Sequence, residues 1–280
     1  MDVFITGASG YVGGVVTGRL LAAGHRVAAL ARSDRAAERV SALGAAPVRG
    51  DLRDAAALRE AAGRADAVVH AAVDYADPAM AEAEAVALRA MLGTIPFVYT
   101  STGLVYGGGA ASEDDPVDEA TSAQPHKVAG ERIALAAGGT VLRVPLVHGR
   151  DGSALIQGLL AMGRTRGMVP YIGEGTQTWA AVHVDDLADL FLLALEKPQP
   201  GGVFNAAPGD TFQMRRLAEA LALRAGAAAV SLSLDEVAGV APQLAVLARD
   251  GAMDGARARS AFGWAPHRPA LLDDVRGAVS

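Results

Sequence analysis

Apolar and polar positions alternate along this chain in two different rhythms. In the first half, short β-branched or apolar runs are separated by longer Ala/Leu-rich stretches with helical spacing. The runs predict strands at Val3–Thr6, Arg26–Ala31, Pro47–Arg49, Ala67–Ala71, Ile95–Thr100 and Thr140–Val144. The intervening stretches predict helices near 11–23, 35–43, 54–62, 79–92 and 126–137. Strands that are apolar throughout, each followed by a helix, read as a parallel sheet covered on both faces. The expected fold class is therefore α/β, a doubly wound parallel sheet.

After about residue 150 the rhythm loosens. A helix is expected over 153–163, a Gly/Thr-rich loop at Gly173–Thr178, a helix near 184–196, a strand at Gly202–Asn205 and a helix over 212–224. The remainder reads as irregular, with Pro and Gly clustered at 198–202 and 263–269. The expected organisation is a dinucleotide-binding core over 1–150. A smaller substrate lobe over 151–280 would be interleaved with the last sheet strands and helices.

The first strand runs into Thr6-Gly7-Ala8-Ser9-Gly10-Tyr11-Val12-Gly13 and then a helix. Gly7 allows a tight turn, Gly10 lets backbone approach a pyrophosphate, and Gly13 lets helix and strand pack closely. Ser9, Tyr11 and Val12 sit where the helix N-terminus offers N–H groups to phosphate. The second strand ends at Ala31-Arg32-Ser33, with no acidic residue before Asp34 to hold a ribose 2′-hydroxyl. Arg32 and Ser33, with Arg35 nearby, suit a 2′-phosphate instead, so NADP(H) is expected over NAD(H). A solvated loop charge is the alternative for Arg32. Asp51 with Leu52 follows the third strand and is placed to meet an adenine amine. Ala71 and Ala72 end the fourth strand and are small enough to let a cofactor lie close. His70 reads as a packed strand-end residue.

Composition narrows the field. The net charge of −6 argues against nucleic acid or an anionic membrane as partner. The absence of cysteine excludes disulfides, thiolate nucleophiles and Cys-based metal sites; no metal is expected. No apolar run reaches the ~18 residues that span a bilayer, and a cytoplasmic protein, monomer or homodimer, is expected. Lysine occurs only at 127 and 197 among 25 basic residues, which singles out Lys127.

Together TGASGYVG, GDLRD, VVHAA, VYTSTGLVYG, LRVPLVHG, AVHVDDLADLFLLALE, VFNAAPG and FGWAP resemble, in order and spacing, the extended short-chain dehydrogenase/reductase (NAD-dependent epimerase/dehydratase) family. The resemblance implies a Rossmann fold and a Ser/Thr–Tyr–Lys catalytic set. Thr102, with Ser101 beside it, takes the Ser/Thr role. Lys127, followed by Glu131, takes the Lys role that binds the nicotinamide ribose. The Tyr position is then Ala123. Pro145 and Val147 fall where the family packs backbone against the carboxamide. Leu146 stands where sugar-nucleotide enzymes carry Asn, and His148 where Tyr is common. Asp185 and Asp186 resemble a family turn whose carboxylates would cap a helix.

A missing general acid typically costs roughly 10²- to 10⁴-fold in rate. His126, three residues from Ala123, would share its helix face and titrates in a suitable range. His148, Tyr75 and Tyr106 are further candidates. Otherwise a ketone beside a phenol brings its own proton, and the protein contributes orientation. The chain resembles aromatic-polyketide (angucyclinone) ketoreductases in this respect. Met162, Met168, Tyr171, Ile172 and Trp179 are candidates for an apolar lining, with core packing as the alternative. The leading expectation is an NADPH-dependent reductase of a partly aromatic ketone, such as an intermediate of antibiotic biosynthesis. An NADP(H)-binding regulator and a non-redox isomerase, cyclase or decarboxylase on the same fold stay open.

Overall fold

The computed structural model describes residues 1–74 and 77–277, with Val240 described by its backbone alone. The described residues form twelve strands and eleven α-helices. The strands are β1 Asp2–Thr6, β2 Arg26–Ala31, β3 Ala46–Arg49, β4 Ala67–His70, β5 Phe97–Thr102 and β6 Thr140–Val144, then β7 Leu146–His148, β8 Met168–Ile172, β9 Thr178–His183, β10 Val203–Asn205, β11 Thr211–Gln213 and β12 Ala228–Leu232. The helices are α1 Tyr11–Ala22, α2 Asp34–Ala42, α3 Ala55–Gly63, α4 Met80–Met91, α5 Pro125–Ala136 and α6 Ala154–Arg166, then α7 Val184–Glu196, α8 Met214–Ala225, α9 Leu234–Val240, α10 Ala256–Phe262 and α11 Leu271–Arg276.

Seven strands form one sheet in the order β10-β6-β5-β4-β1-β2-β3, and every pairing is parallel. The order reverses between β1 and β4, which opens the crevice where doubly wound sheets bind ligands. Strands buried on both faces need continuous apolar sequence, and β4 is buried at all four residues. One face packs Val16 and Leu20 of α1 against Leu187 and Phe191 of α7. The other packs Leu58 of α3, Leu88 of α4 and Ala134 of α5. The doubly wound fold read from the sequence is thus the observed one.

The second half carries more regular structure than its loose pattern suggests. β8 and β12 pair in parallel, and β7, β9 and β11 form a small mixed sheet. These strands are three to six residues long, too short for period-two alternation to stand out. α6, α8, β8 and α11 share a separate apolar core containing Leu160, Val169, Leu221 and Leu271. The tail expected to be irregular folds into α9 to α11. Of the candidate lining residues, Ile172 belongs to this core and Tyr171 lies against it, 5.8 Å from the Arg215 guanidinium. No helix among the described residues is long and apolar enough to cross a membrane.

Candidate active site

The glycine loop is built as its residues require. Gly7 has φ +84°, and a Cβ there would lie 2.6 Å from the Ala71 carbonyl, so β1 and β4 pass too closely for any side chain. A Cβ at Gly13 would lie 2.2 Å from the Gly7 carbonyl oxygen. Gly10 precedes α1 with no side-chain cap, and the first turn carries no acidic residue. Its N–H groups therefore remain for an anion. Ala71 and Ala72 are tied to the loop, their N–H groups donating to the Thr6 carbonyl (3.2 Å) and Thr6 Oγ1 (3.3 Å). These residues fit a dinucleotide along the β1–β4 crevice. His70 is packed as expected: buried, 2.7 Å from Thr6 Oγ1, and stacked on Tyr99.

At the tip of β2, Arg32 forms an exposed ion pair with Asp74. Arg39 of α2, which the sequence reading passed over, points a guanidinium nitrogen at the Ser9 carbonyl, 3.5 Å away. Ser33 has a different task from the phosphate contact expected of it. Its hydroxyl caps α2 by accepting from Ala36 N (3.2 Å). Asp51 Oδ1 accepts from Arg53 N (2.7 Å), which closes a turn.

Beyond the crevice lies a cavity of about 760 Å³ between the large sheet and the second core. Thr102, Ala123, Pro145, Val147, Met162 and Trp179 are among the residues that line it. Thr102 ends β5, and its Oγ1 accepts from Leu104 N (3.2 Å). That contact uses a lone pair and leaves the hydroxyl proton available to a ligand. Ala123 N donates to the Leu104 carbonyl (3.1 Å), and Ser122 Oγ donates to the same oxygen (3.0 Å). This pins the segment before α5 to the cavity rim.

Several expected site residues stand elsewhere. Ser101 points to the opposite face of β5 and donates to Glu131 Oε1 (2.5 Å), because successive strand residues alternate sides. Glu131 accepts from Arg143 at both carboxylate oxygens (Nε to Oε1 3.0 Å and to Oε2 3.2 Å, Nη2 to Oε2 2.7 Å). Arg143 Nη1 donates to the Tyr106 hydroxyl (2.8 Å), which donates to Asn205 Oδ1 (2.8 Å). Tyr106 is thereby committed to a buried network, and burial raises its pKa. Lys127 is only 4% exposed and does not line the cavity. Its Nζ donates to Glu84 Oε1 (2.6 Å) and to the Thr100 carbonyl (3.1 Å).

The two histidines also depart from expectation. α5 begins at Pro125, and a residue before proline avoids the α conformation. Ala123 therefore precedes the helix, and His126 does not share a helical face with it. Burial lowers the pKa of His126. His148 faces away from the cavity, its Nδ1 2.8 Å from Asp274 Oδ2 and its ring edge against His183. Burial is the main reason its pKa falls below the ordinary value. Tyr75 lies outside the described residues.

Asp185 and Asp186 do not cap α7 with their carboxylates. His183 accepts there from Asp185 N (3.2 Å), and Asp186 instead accepts from His267 N (3.2 Å) and Arg268 N (2.9 Å), while Asp185 pairs with Arg150. The sequence reading missed Glu84, Asn205 and Arg143. Their partners are supplied by distant parts of the chain, and no local motif announces them.

Comparison with known proteins agrees with this architecture. Residues 3–207 match the model of the NAD dependent epimerase/dehydratase family. The chain belongs to that family, and is an NAD(P)-dependent oxidoreductase of the short-chain dehydrogenase/reductase type. It is 32% identical to the uncharacterized protein YLL056C of Saccharomyces cerevisiae over all of this chain and 99% of the relative. It is 28% identical to 4-hydroxy-2-methyl-3-oxo-4-farnesyl-3,4-dihydroquinoline-1-oxide ketoreductase of Stigmatella aurantiaca, over 77% of this chain and 70% of the relative. Among solved structures, gox2253 superposes with a TM-score of 0.81 at 25% identity, covering 98% of this chain and 96% of that one.

Proposed function

We propose that the protein is an NADPH-dependent ketoreductase. It reduces a ketone on a partly aromatic small molecule, such as a polyketide intermediate, and the substrate supplies the proton. One observation carries this reading. The cavity is lined by both Thr102 and Ala123, the residue that takes the tyrosine's place in the family's sequence pattern. Among the described residues, the titratable ones that line the cavity are Tyr11, Tyr106, Arg166, Arg249 and Asp250. Tyr11 donates to the Gly149 carbonyl (2.6 Å), and burial pushes its pKa up. Tyr106 is held by Asn205. Asp250 is exposed and accepts from Thr178 N (2.7 Å). The resemblance to a ketoreductase whose name carries a 3-oxo group on a dihydroquinoline supports a ketone on a partly aromatic ring system as the substrate class.

The nicotinamide supplies a hydride when bound. Gly7, Gly10 and the start of α1 would hold the pyrophosphate, with Ser9 in the loop and Tyr11 and Val12 in the first turn of the helix. Pro145 and Val147 pack at the carboxamide. Arg32, Arg35 and Arg39 form a basic margin beside the loop, which suits a 2′-phosphate. Asp51 and Leu52 border the adenine. Thr102 donates to the carbonyl oxygen and orients the ketone. The apolar wall excludes water, so the alkoxide takes the proton of a neighbouring phenol or enol.

The test is NADPH consumption with polycyclic keto-phenols and with the same ketones O-methylated. Turnover of the free phenols with loss on methylation is the expected result. Tight NADPH binding without turnover of any ketone overturns the reading in favour of a regulator. Product formation without cofactor oxidation favours an isomerase. Cofactor choice is read separately: Arg32→Ala should weaken NADPH about tenfold, as for one charge-assisted contact, and leave NADH unchanged.

A further inference from the structure

Behind β5 lies a cluster of buried ionisable groups that the proposed reduction does not use. Glu84 of α4 is 2% exposed, and its Oε1 accepts from Lys127 Nζ (2.6 Å) and from the Tyr99 hydroxyl (3.0 Å). His70 Nε2 lies 3.8 Å from the same oxygen. Lys127 has three N–H donors, and three groups surround them. Glu84 takes one, the Thr100 carbonyl takes another at 3.1 Å, and the Tyr99 ring face lies 4.9 Å from Nζ. Gly130 makes the arrangement possible, since a Cβ there would stand 2.2 Å from the Tyr99 hydroxyl oxygen.

We infer that Glu84 holds Lys127 as its buried counter-ion, and that Lys127 is a positioning residue which fixes the end of β5 through the Thr100 carbonyl and so aims the Thr102 hydroxyl. Moving Lys127 to a ribose hydroxyl would leave Glu84 buried without its cation, with the Tyr99 hydroxyl as its remaining donor. Breaking a buried pair in that way costs more than a hydrogen bond to a neutral hydroxyl returns. Thr100 and Thr102 are two residues apart on one strand and share its face. A shift of the Thr100 peptide therefore reaches the Thr102 side chain.

The test compares Lys127→Met with the double variant Glu84→Gln/Lys127→Met. The catalytic arm rests on the ketoreductase reading, whereas NADPH affinity and unfolding do not. Lys127→Met should unfold at markedly lower urea than the parent, and the double variant should recover most of the loss. NADPH Kd should stay within about twofold in the double variant, while kcat on the ketone falls about tenfold with KM unchanged, the size of one misplaced hydrogen bond. A tenfold rise in NADPH Kd would overturn the inference, because Lys127 would then touch the cofactor. Unchanged kcat would also overturn it, leaving a stabilising pair without a positioning role. If the parent turns over no ketone, the ketoreductase reading fails, and NADPH Kd and urea unfolding still decide whether Lys127 is held by Glu84.

Discussion

Ser101 and Thr102 are adjacent on β5, and the two faces they occupy differ in kind. On the Ser101 side, Glu131, Arg143, Tyr106 and Asn205 form a buried chain of hydrogen bonds. On the Thr102 side, the cavity wall is mostly apolar, with Leu146, Val147, Leu155 and Leu159 in it, and the Thr102 proton is left for a ligand. Both sides are built from the same strand, and alternation alone separates them. Hydroxyls that match a family motif equally well in sequence therefore have different work. One closes a structural network, and the other can meet a carbonyl.

The sharpest way to break that contrast is to open the sealed side. Arg143→Ala leaves Glu131 buried without its cation, and removal of one partner of such a pair costs about 3–5 kcal/mol. Urea unfolding should show a loss of that size. Thr102→Val should behave oppositely, with little change in stability and a fall in kcat of about 10²-fold, the effect of removing one donor to a developing oxyanion. Thr102→Ser should keep most of the activity. If Ser101→Ala lowered kcat as much as Thr102→Val, the two faces would not differ as described.

How much of this was legible in the sequence follows the range of the interactions. The parallel sheet was readable because most of its strands are apolar runs beside their helices. The glycine loop was readable because Gly7, Gly10 and Gly13 act within a few residues of one another. The fate of Lys127 was not, because it depends on Glu84, 43 residues away. His148 was read from its place after Pro145, yet Asp274, 126 residues later, determines where it points. The helical face assigned to Ala123 and His126 failed for a local reason that the sequence did contain, namely Pro125.

The sealed side should also carry a pH signature that the cavity side lacks. Burial pushes the pKa of His70 from 6.5 to about 4. A histidine held neutral in the folded state stabilises the fold above pH ~6.5, and that contribution is lost as pH falls toward ~4, because the unfolded chain takes up the proton first. The loss should reach about 1 kcal/mol by pH ~5.5. Unfolding free energies of the parent and His70→Gln, measured across this range, should converge as the pH falls. A constant difference would mean that His70 does not titrate in this way.

The smallest effect is expected at the position that began as the family's missing residue. Ala123→Tyr adds a phenol at the cavity rim, but its backbone is bonded to Leu104 and lies before the proline that starts α5. The new side chain would not stand one helical turn above Lys127. Lys127 is itself engaged by Glu84, so it is not free to acidify the phenol. Turnover of a keto-phenol should stay within about threefold of the parent, and the O-methylated ketone should gain no more than that, far below the ~10²-fold that a positioned acid supplies. A gain approaching the larger figure would mean that Lys127 leaves Glu84 during turnover. The cavity side would then have a latent acid–base pair, and the contrast between the two faces of β5 would no longer hold.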